Sequence, residues 1–470
     1  VNRDLLVDRE RHHGARPADR PHDAPEDRRR DHVRDLSAAL AAALLVLVAV
    51  LVGTAIQDRH HSLFVAWPPV FARWEPHVGP GTPAALAVAV AVVAYGPVLA
   101  ARLPWRTLLS TAWGTAMAWT FSLALVDGWQ RGIAGRLTSP NEYLTVIGRF
   151  HDIPATLRDF THHILSHSPA PWPAHIAGHP PAATVTFVLL DRIGLGGGGW
   201  AGVWCITVGA TAGAAVLVAV RALAGEQLAR RAAPFLVLAP AAVWVGASAD
   251  GYFAAVAAWS VAFLALAVTG HRPRSAGLAA GLFFGLTAYL SYGLTLFAVI
   301  AGAVLLLGRR RLRPLPYVVA GLAVVPVVFT LLGFNWWEAY RLLITRYYEG
   351  VGGIRPYGYW VWANLACTVL IVGPATVAGL RRAGTQLPEL RGGVRTAPPR
   401  PRLALPVFAA LLALLVADLS GMSKAETERI WLPFAMWLLP ACAFLPRPRA
   451  WLTAQAALAL LLNHLLLTGW

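Results

Sequence analysis

Apolar residues fill long stretches of the chain with no polar face, unlike the one-sided stripe of a helix on a soluble domain. The stretches fall at 37–56, 84–101, 107–126, 200–220, 233–248, 252–269, 275–290, 293–308, 315–334, 361–380, 403–419, 430–446 and 450–468. Each approaches the ~20 residues that cross a bilayer as a helix. The pattern predicts an all-α polytopic membrane protein of about 13 transmembrane helices. Residues 180–195 are also apolar but are broken by Asp191 and Arg192, which predicts a partly inserted helix. The alternative is a complete crossing, with two of the short downstream spans forming a re-entrant hairpin. Residues 1–35 carry both charge signs, are rich in Pro and Asp, and show no apolar periodicity. They predict a disordered cytoplasmic tail ahead of a single transmembrane domain, 36–470.

Composition sharpens this picture. The chain is 57% hydrophobic and 14% charged, with a mean hydropathy of +0.54. Soluble domains carry about 25% charged residues, so a soluble enzyme, a disordered chain and a disulfide-built module are all excluded. The formal charge of +16 would suit nucleic acid, but the apolar stretches point to the lipid bilayer as partner and not to nucleic acid. Lys424 is the single lysine, and Ala, Gly and Val abound, as in a GC-rich bacterial genome. Cys205, Cys367 and Cys442 lie in or beside apolar runs and read as small core residues.

Arginine placement gives the orientation. Arg102 with Arg106, Arg221 with Arg230 and Arg231, Arg272 with Arg274, the 309–313 run, Arg381 with Arg382, and Arg447 with Arg449 mark short inside loops. Segments 57–83, 127–199, 335–360 and 420–429 are then outside, in a multi-pass protein of the bacterial plasma membrane. The 335–360 segment, with Trp336, Trp337, Tyr340, Tyr347 and Tyr348, reads as an aromatic belt at the headgroups before it reads as a sugar platform.

The candidate chemistry sits on these outer segments. Asp127 directly follows an apolar span, where an ionisable side chain is costly and suits a pocket; the plainer role is a border residue that caps the next segment. Asp152-Ile153-Pro154 opens an interfacial amphipathic helix with Leu157, Phe160 and Ile164 on one face. His163 and His167 have helical i,i+4 spacing, but no HExxH pattern or cysteine pair accompanies them, which argues against zinc. Asp250 is either a functional acid or the end of a helix at the outer boundary, and the second reading is slightly favoured. Lys424 and Arg429 lie in a short charged segment between two spans, on the side where the charge rule disfavours cations.

The order of features from Asp127 through His179-Pro180-Pro181, Asp191-Arg192, the glycine turn 194–199, Arg221 to Arg231, Pro240 and Ser248-Ala249-Asp250 resembles one family. It is similar to the dolichyl- or polyprenyl-phosphate-sugar-dependent glycosyltransferases of the GT-C superfamily, which include protein O-mannosyltransferases and lipid A aminoarabinose transferases. The resemblance covers roughly residues 105–270. The family's paired acids after the early span are represented here by Asp127 alone, followed by Gly128, Trp129 and Gln130; the next acid is Glu142.

The resemblance implies a GT-C-like bundle whose first large outer loop, 127–179, is catalytic and carries juxtamembrane helices. It implies a hexosyl- or pentosyltransferase acting on the outer face. The sugar would pass, with inversion, from a polyprenyl-phosphate donor to a cell-envelope glycan, glycolipid or protein acceptor. Asp127 would be the general base. Lys424 and Arg429, with Arg346 and Arg355 behind them, would stabilise the departing phosphate, and His179 would contact donor phosphate or acceptor. Glu142 and Asp152 would serve as acceptor-binding or second acidic groups, and a divalent cation (Mg or Mn) stays open. The competing function is a multi-span transporter or lipid flippase. Against it, no internal repeat is visible, and the charges sit in loops and not mid-span.

Overall fold

A computed structural model describes residues 25–310 and 312–469; the expected tail up to residue 24 lies outside these. Residues 25–35, expected to be disordered, instead open a 36-residue helix, α1 (Pro25–His60). Acidic residues in its first turn favour the helix N-terminus. Further along, Asp35 is fully buried between Arg381 and Arg382, at 2.9 and 2.7 Å. These partners lie some 350 residues away, so the sequence pattern of the segment gives no hint of them.

A short strand, β1 (Ala72–Trp74), leads into two apolar helices, α2 (Thr82–Arg102) and α3 (Trp105–Ala124). The next fifty residues form 3-10 turns and the short helices α4 (Ile153–Asp159) and α5 (Ala174–Gly178). They close over a small core in which Trp172 packs between Phe150 and Phe160. Helix α6 (Ala182–Arg192) has 11 residues, about 16 Å at 1.5 Å per residue. That is about half of a ~30 Å hydrocarbon layer, so α6 does not cross by itself.

Helices α7 (Gly198–Gly209) and α8 (Thr211–Ala224) run on as one apolar length. Helices α9 (Glu226–Val237) and α10 (Ala242–Val245) are separated by a break at Pro240. Helix α11 (Ala249–Thr269) is buried along most of its length and packs against α7, α8, α12 (Pro273–Leu290) and α13 (Phe297–Leu307). Helix α14 (Leu315–Leu331) lies along α12 and turns by 77° into α15 (Trp336–Glu349). After the single turn α16 (Val351–Ile354) come α17 (Tyr357–Gly384), kinked at Gly373 before Pro374, and α18 (Pro399–Leu419). The chain ends with α19 (Thr427–Ile430), α20 (Leu432–Leu438), α21 (Pro448–Leu465) and β2 (Leu466–Thr468), which pairs antiparallel with β1.

Among the described residues, 7 helices are long and apolar enough to cross a membrane, or up to 8 if α14 and α15 count as one bent span. Helices of full crossing length therefore do not reach the expected number of about 13. The stretches at 233–248, 293–308 and 430–446 are covered by helices that are short or broken. Those at 275–290 and 450–468 reach 18 residues, but Gly, Ser and Thr dilute α12, and Gln455, Asn463 and His464 dilute α21.

The arginine-rich turns gather at one end of the bundle. Arg230 donates to the Ala100 and Leu103 carbonyls at the end of α2, and Arg231 to the Leu445 carbonyl. Arg402 reaches the Leu223 and Leu307 carbonyls in the same way. The segments rich in acid and histidine collect at the other end, and the candidate site is there.

Candidate functional site

Helix α3 tightens into a 3-10 turn, Leu125–Asp127, and stops at Gly128, whose φ of 78° suits a residue without a Cβ. The segment before α2 is laid directly on this turn. A Cβ at Gly79 would run into the Val126 carbonyl, and one at Gly81 into that of Ser122. This close approach delivers His77 to Asp127, with Nε2 2.9 Å from Oδ1. Arg136 donates to the other oxygen, Oδ2, at 2.7 Å, and Arg131 stands 3.8 Å away. The end of the chain holds the His77 backbone and the Arg136 side chain: the His77 amide donates to the His464 carbonyl, and the Arg136 guanidinium also donates to that of Thr468. Burial lowers the Arg136 pKa to about 10 against the pull of Asp127, so it remains a cation at neutral pH. Asp127 is thus held at both oxygens, by His77 and Arg136, with its side chain 11% exposed.

A second cluster is more deeply buried. Ser248 caps α11 by accepting from the Asp250 amide, and its hydroxyl donates to Asp250 Oδ2. The same oxygen takes Arg429 Nη1 at 2.6 Å. Arg429 arrives on the single turn α19 because the chain reverses at Ala425 and Glu426, both in the left-handed region at φ 71° and 62°. Its Nη2 lies 3.3 Å from His175 Nε2, and His175 Nδ1 lies 2.9 Å from Glu142 Oε1. The series Asp250, Arg429, His175, Glu142 therefore links α11, α19, α5 and the turn before residue 143. Two buried polar atoms beside it, Glu142 Oε2 and the Tyr143 hydroxyl, have no hydrogen-bond partner among the described residues.

The electrostatics follow from this arrangement. Burial works to raise the Glu142 carboxyl, but His175 alongside and Arg429 behind it hold it below the ordinary carboxylate range. Burial works to weaken Arg429 as a base, and Asp250, Glu142 and Glu426 reverse this and raise it above its usual value. Burial also pushes the Tyr143 phenol well up. His179 sits between Tyr143 and Phe253 with Nδ1 donating to the His175 carbonyl. Burial lowers its pKa to about 4, so it is a neutral ring that brings no charge to a phosphate.

The remaining sequence candidates divide. Lys424, Arg355 and Arg429 converge on the 420–430 segment. Arg355 donates to the Lys424 and Leu63 carbonyls and pairs with Glu426 at 3.2 Å; Lys424 Nζ donates to the Gly352 carbonyl. Arg346 lies apart on α15 and donates to the Ile164 and Trp172 carbonyls, tying α15 to the 127–179 segment. Asp152 is exposed and caps α4, accepting from the Ala155 amide at 3.0 Å, away from both clusters.

Several residues escaped the sequence reasoning. His77 and Arg136 approach Asp127 only through the folded path of the chain. Asp250 does stand at a helix end, in the first turn of α11, but its pairing with Arg429 is not visible in the sequence. His175 carries no signal in the sequence beyond its place in the 127–179 segment. The signal available for Asp250 was its burial cost at the start of a very apolar helix.

The side chains as arranged do not fit a divalent cation. No group of three or more His, Cys, Asp and Glu side chains among the described residues is placed to hold one. Both Asp127 oxygens face His77 and Arg136, and Asp250 Oδ2 faces Arg429.

Fold and site together define an all-α membrane protein with a buried acid–histidine–arginine cluster at one end of its bundle. No family model matches the sequence, and no curated protein matches it. Solved structures similar to it are those of the oligosaccharyltransferase of the archaeon Archaeoglobus fulgidus. The form in complex with Zn and sulfate is 15% identical, with a TM-score of 0.43 over 72% of this chain and 48% of that one. The apo form is 13% identical, with a TM-score of 0.40 over 87% and 50%. The form of that enzyme, AglB, in complex with an inhibitory peptide and a dolichol-phosphate is 10% identical, with a TM-score of 0.40 over the same shares. The chain spans about half the length of these proteins.

Proposed function

We propose that the chain is a membrane glycosyltransferase. It takes a sugar from a polyprenyl-phosphate donor and passes it to a hydroxyl of a cell-envelope glycan, glycolipid or protein. The observation that carries this reading is the buried cluster in which Arg429 joins Asp250 and His175, with the Glu142 Oε2 and Tyr143 hydroxyl beside it unpaired. Buried polar groups are almost always satisfied, and hydroxyl-rich substrates are suited to satisfying these. The sequence resemblance to GT-C transferases, which runs through Asp127, His179 and Asp250, supplies the reaction class. The arginine-rich turns at the opposite end agree with an outward-facing site under the charge rule. On this reading the short and bent helices complete about 13 crossings in pieces.

In the proposed step the acceptor oxygen attacks the anomeric carbon from the face opposite the phosphate, so the configuration inverts. The bond from that carbon to the phosphate oxygen breaks with its electron pair on the phosphate. Asp127 takes the acceptor proton, held in place by His77 and Arg136. Lys424 and Arg429 of the 420–430 segment, with Arg355 held against it, offer positive charge to the leaving phosphate. A second assignment of the base has its own support: Glu142 carries the unpaired oxygen, whereas both oxygens of Asp127 are engaged.

The reading is tested by supplying the purified protein in lipid with a panel of polyprenyl-phosphate sugars and hydroxyl acceptors. Sugar transfer with inverted configuration is expected. Retained configuration contradicts direct displacement, and absence of transfer from every donor contradicts the class.

A further inference from the structure

The opposite end of the bundle holds a feature that this reaction does not use. A groove of about 680 Å³ opens between the end of α2 and the start of α21, a size typical of small-ligand sites. Pro97, Val98 and Ala101 of α2 form its apolar wall, and Arg102, Arg447 and Arg449 line it. Arg102 is the last residue of α2, and Arg447, at φ 53°, turns the chain into α21. All three arginines are exposed.

Their partners set them apart from the other arginines at this end. Arg381 and Arg382 pair with Asp31 and Asp35, and Arg221 and Arg230 pair with Glu226. Among the described residues, Arg449 donates to the Ala94 carbonyl, and Arg447 meets His32 Nε2 at 3.4 Å. Among the described residues, none of Arg102, Arg447 and Arg449 has a carboxylate within ion-pair distance. The groove therefore carries, among the described residues, three positive charges without a carboxylate partner over an apolar wall. That wall continues toward the middle of the bundle as exposed side chains of α2: Val90, Tyr95, Val98 and Leu99.

We infer that this groove binds the headgroup of an anionic phospholipid. The phosphate takes the arginine forks, which match its oxygens in pairs, and an acyl chain lies along the exposed apolar face of α2. The start of α21, an 18-residue helix, brings the positive end of its dipole to the same corner. Basic pockets between membrane helices hold anionic headgroups by this combination. A soluble phosphate would use the arginines but not the apolar lane, so the lipid is the better fit. The inference is independent of the transferase reading.

The test is lipid retention by the purified full chain in neutral detergent, titrated with phosphatidylglycerol or phosphatidylcholine and read by native mass spectrometry. The wild type is expected to prefer phosphatidylglycerol. The triple variant Arg102→Ala, Arg447→Ala, Arg449→Ala is expected to bind it roughly 100-fold more weakly. A control triple, Arg272→Ala, Arg274→Ala, Arg309→Ala, removes as much charge outside the groove and is expected to leave binding unchanged. Lysine at the three groove positions retains the charge without the paired donors and is expected to bind more weakly than the wild type but more tightly than the alanine variant, which guards against misfolding of the latter. Equal loss in the groove and control variants overturns the site, because a general basic field would then explain the binding. Unchanged binding in the groove variant, or no preference for phosphatidylglycerol in the wild type, overturns it as well.

Discussion

Arg429 Nη1 lies 2.6 Å from Asp250 Oδ2, joining residues 179 positions apart where neither side chain is more than 5% exposed. A buried pair of this kind gains little over apolar packing but is costly to break, because the survivor is left as an unpaired charge. Arg429→Gln or Asp250→Asn should each destabilise the folded protein by about 3–5 kcal/mol. The double variant should lose less than the sum of the two, since it leaves no lone charge. Denaturant unfolding in detergent measures all three; full additivity would mean that the two side chains do not depend on each other.

Asp35 anchors α1 to α17 at the other end of the bundle, fully buried between Arg381 and Arg382, whereas neighbouring Asp31 is 43% exposed. Asp35→Ala should therefore cost about 3 kcal/mol or more. Asp31→Ala should cost no more than ~1 kcal/mol, as for an exposed pair. Limited proteolysis of the 57–70 connection should accelerate in the first variant and not in the second. Equal rates would show that α1 is held by its apolar contacts alone.

Acid should weaken the site end in two stages. His179 has a folded pKa of about 4, below the ordinary 6.5, so the unfolded chain takes up its proton first. Its contribution is complete above pH 6.5 and is lost as the pH falls from there toward 4. Glu142 is also held below its ordinary 4.5, so its contribution is complete above that value and is lost as the pH falls further. His179→Asn should flatten the upper part of the stability curve, between about pH 6.5 and 4, and leave the lower part in place. An unchanged upper slope would place the ring in an ordinary solvated setting.

Much of the frame was legible because its cause is local. Long apolar runs need only a bilayer's thickness to be read, and the arginines between them fall together at one end of the bundle. Asp152 announced its capping role through the proline two residues on. The positions of breaks were harder to see: Pro240 separates α9 from α10, and Gly373 with Pro374 bends α17 without ending it. The site was legible only in part. Asp127 stood out as an acid at a span's end and Glu142 as the next acid after it, but their partners could not, since His77 and Arg136 meet Asp127 through a backbone approach that depends on Gly79 and Gly81. Arg429 stood out as a cation in an unexpected place, yet nothing local links it to Asp250.

The central claim is that catalysis resides among these carboxylates, and polyprenyl phosphate release from a lipid-linked sugar tests it most directly. Initial rates should be compared for the wild type, Asp127→Asn and Glu142→Gln under saturating donor and acceptor, with folding of each variant checked by its unfolding transition. The account predicts that the wild type releases polyprenyl phosphate and that Asp127→Asn slows release by about 10²- to 10⁴-fold, as for loss of a general base. A loss of that size confined to Glu142→Gln would move the base to Glu142. Release by both folded variants at the wild-type rate would contradict the account.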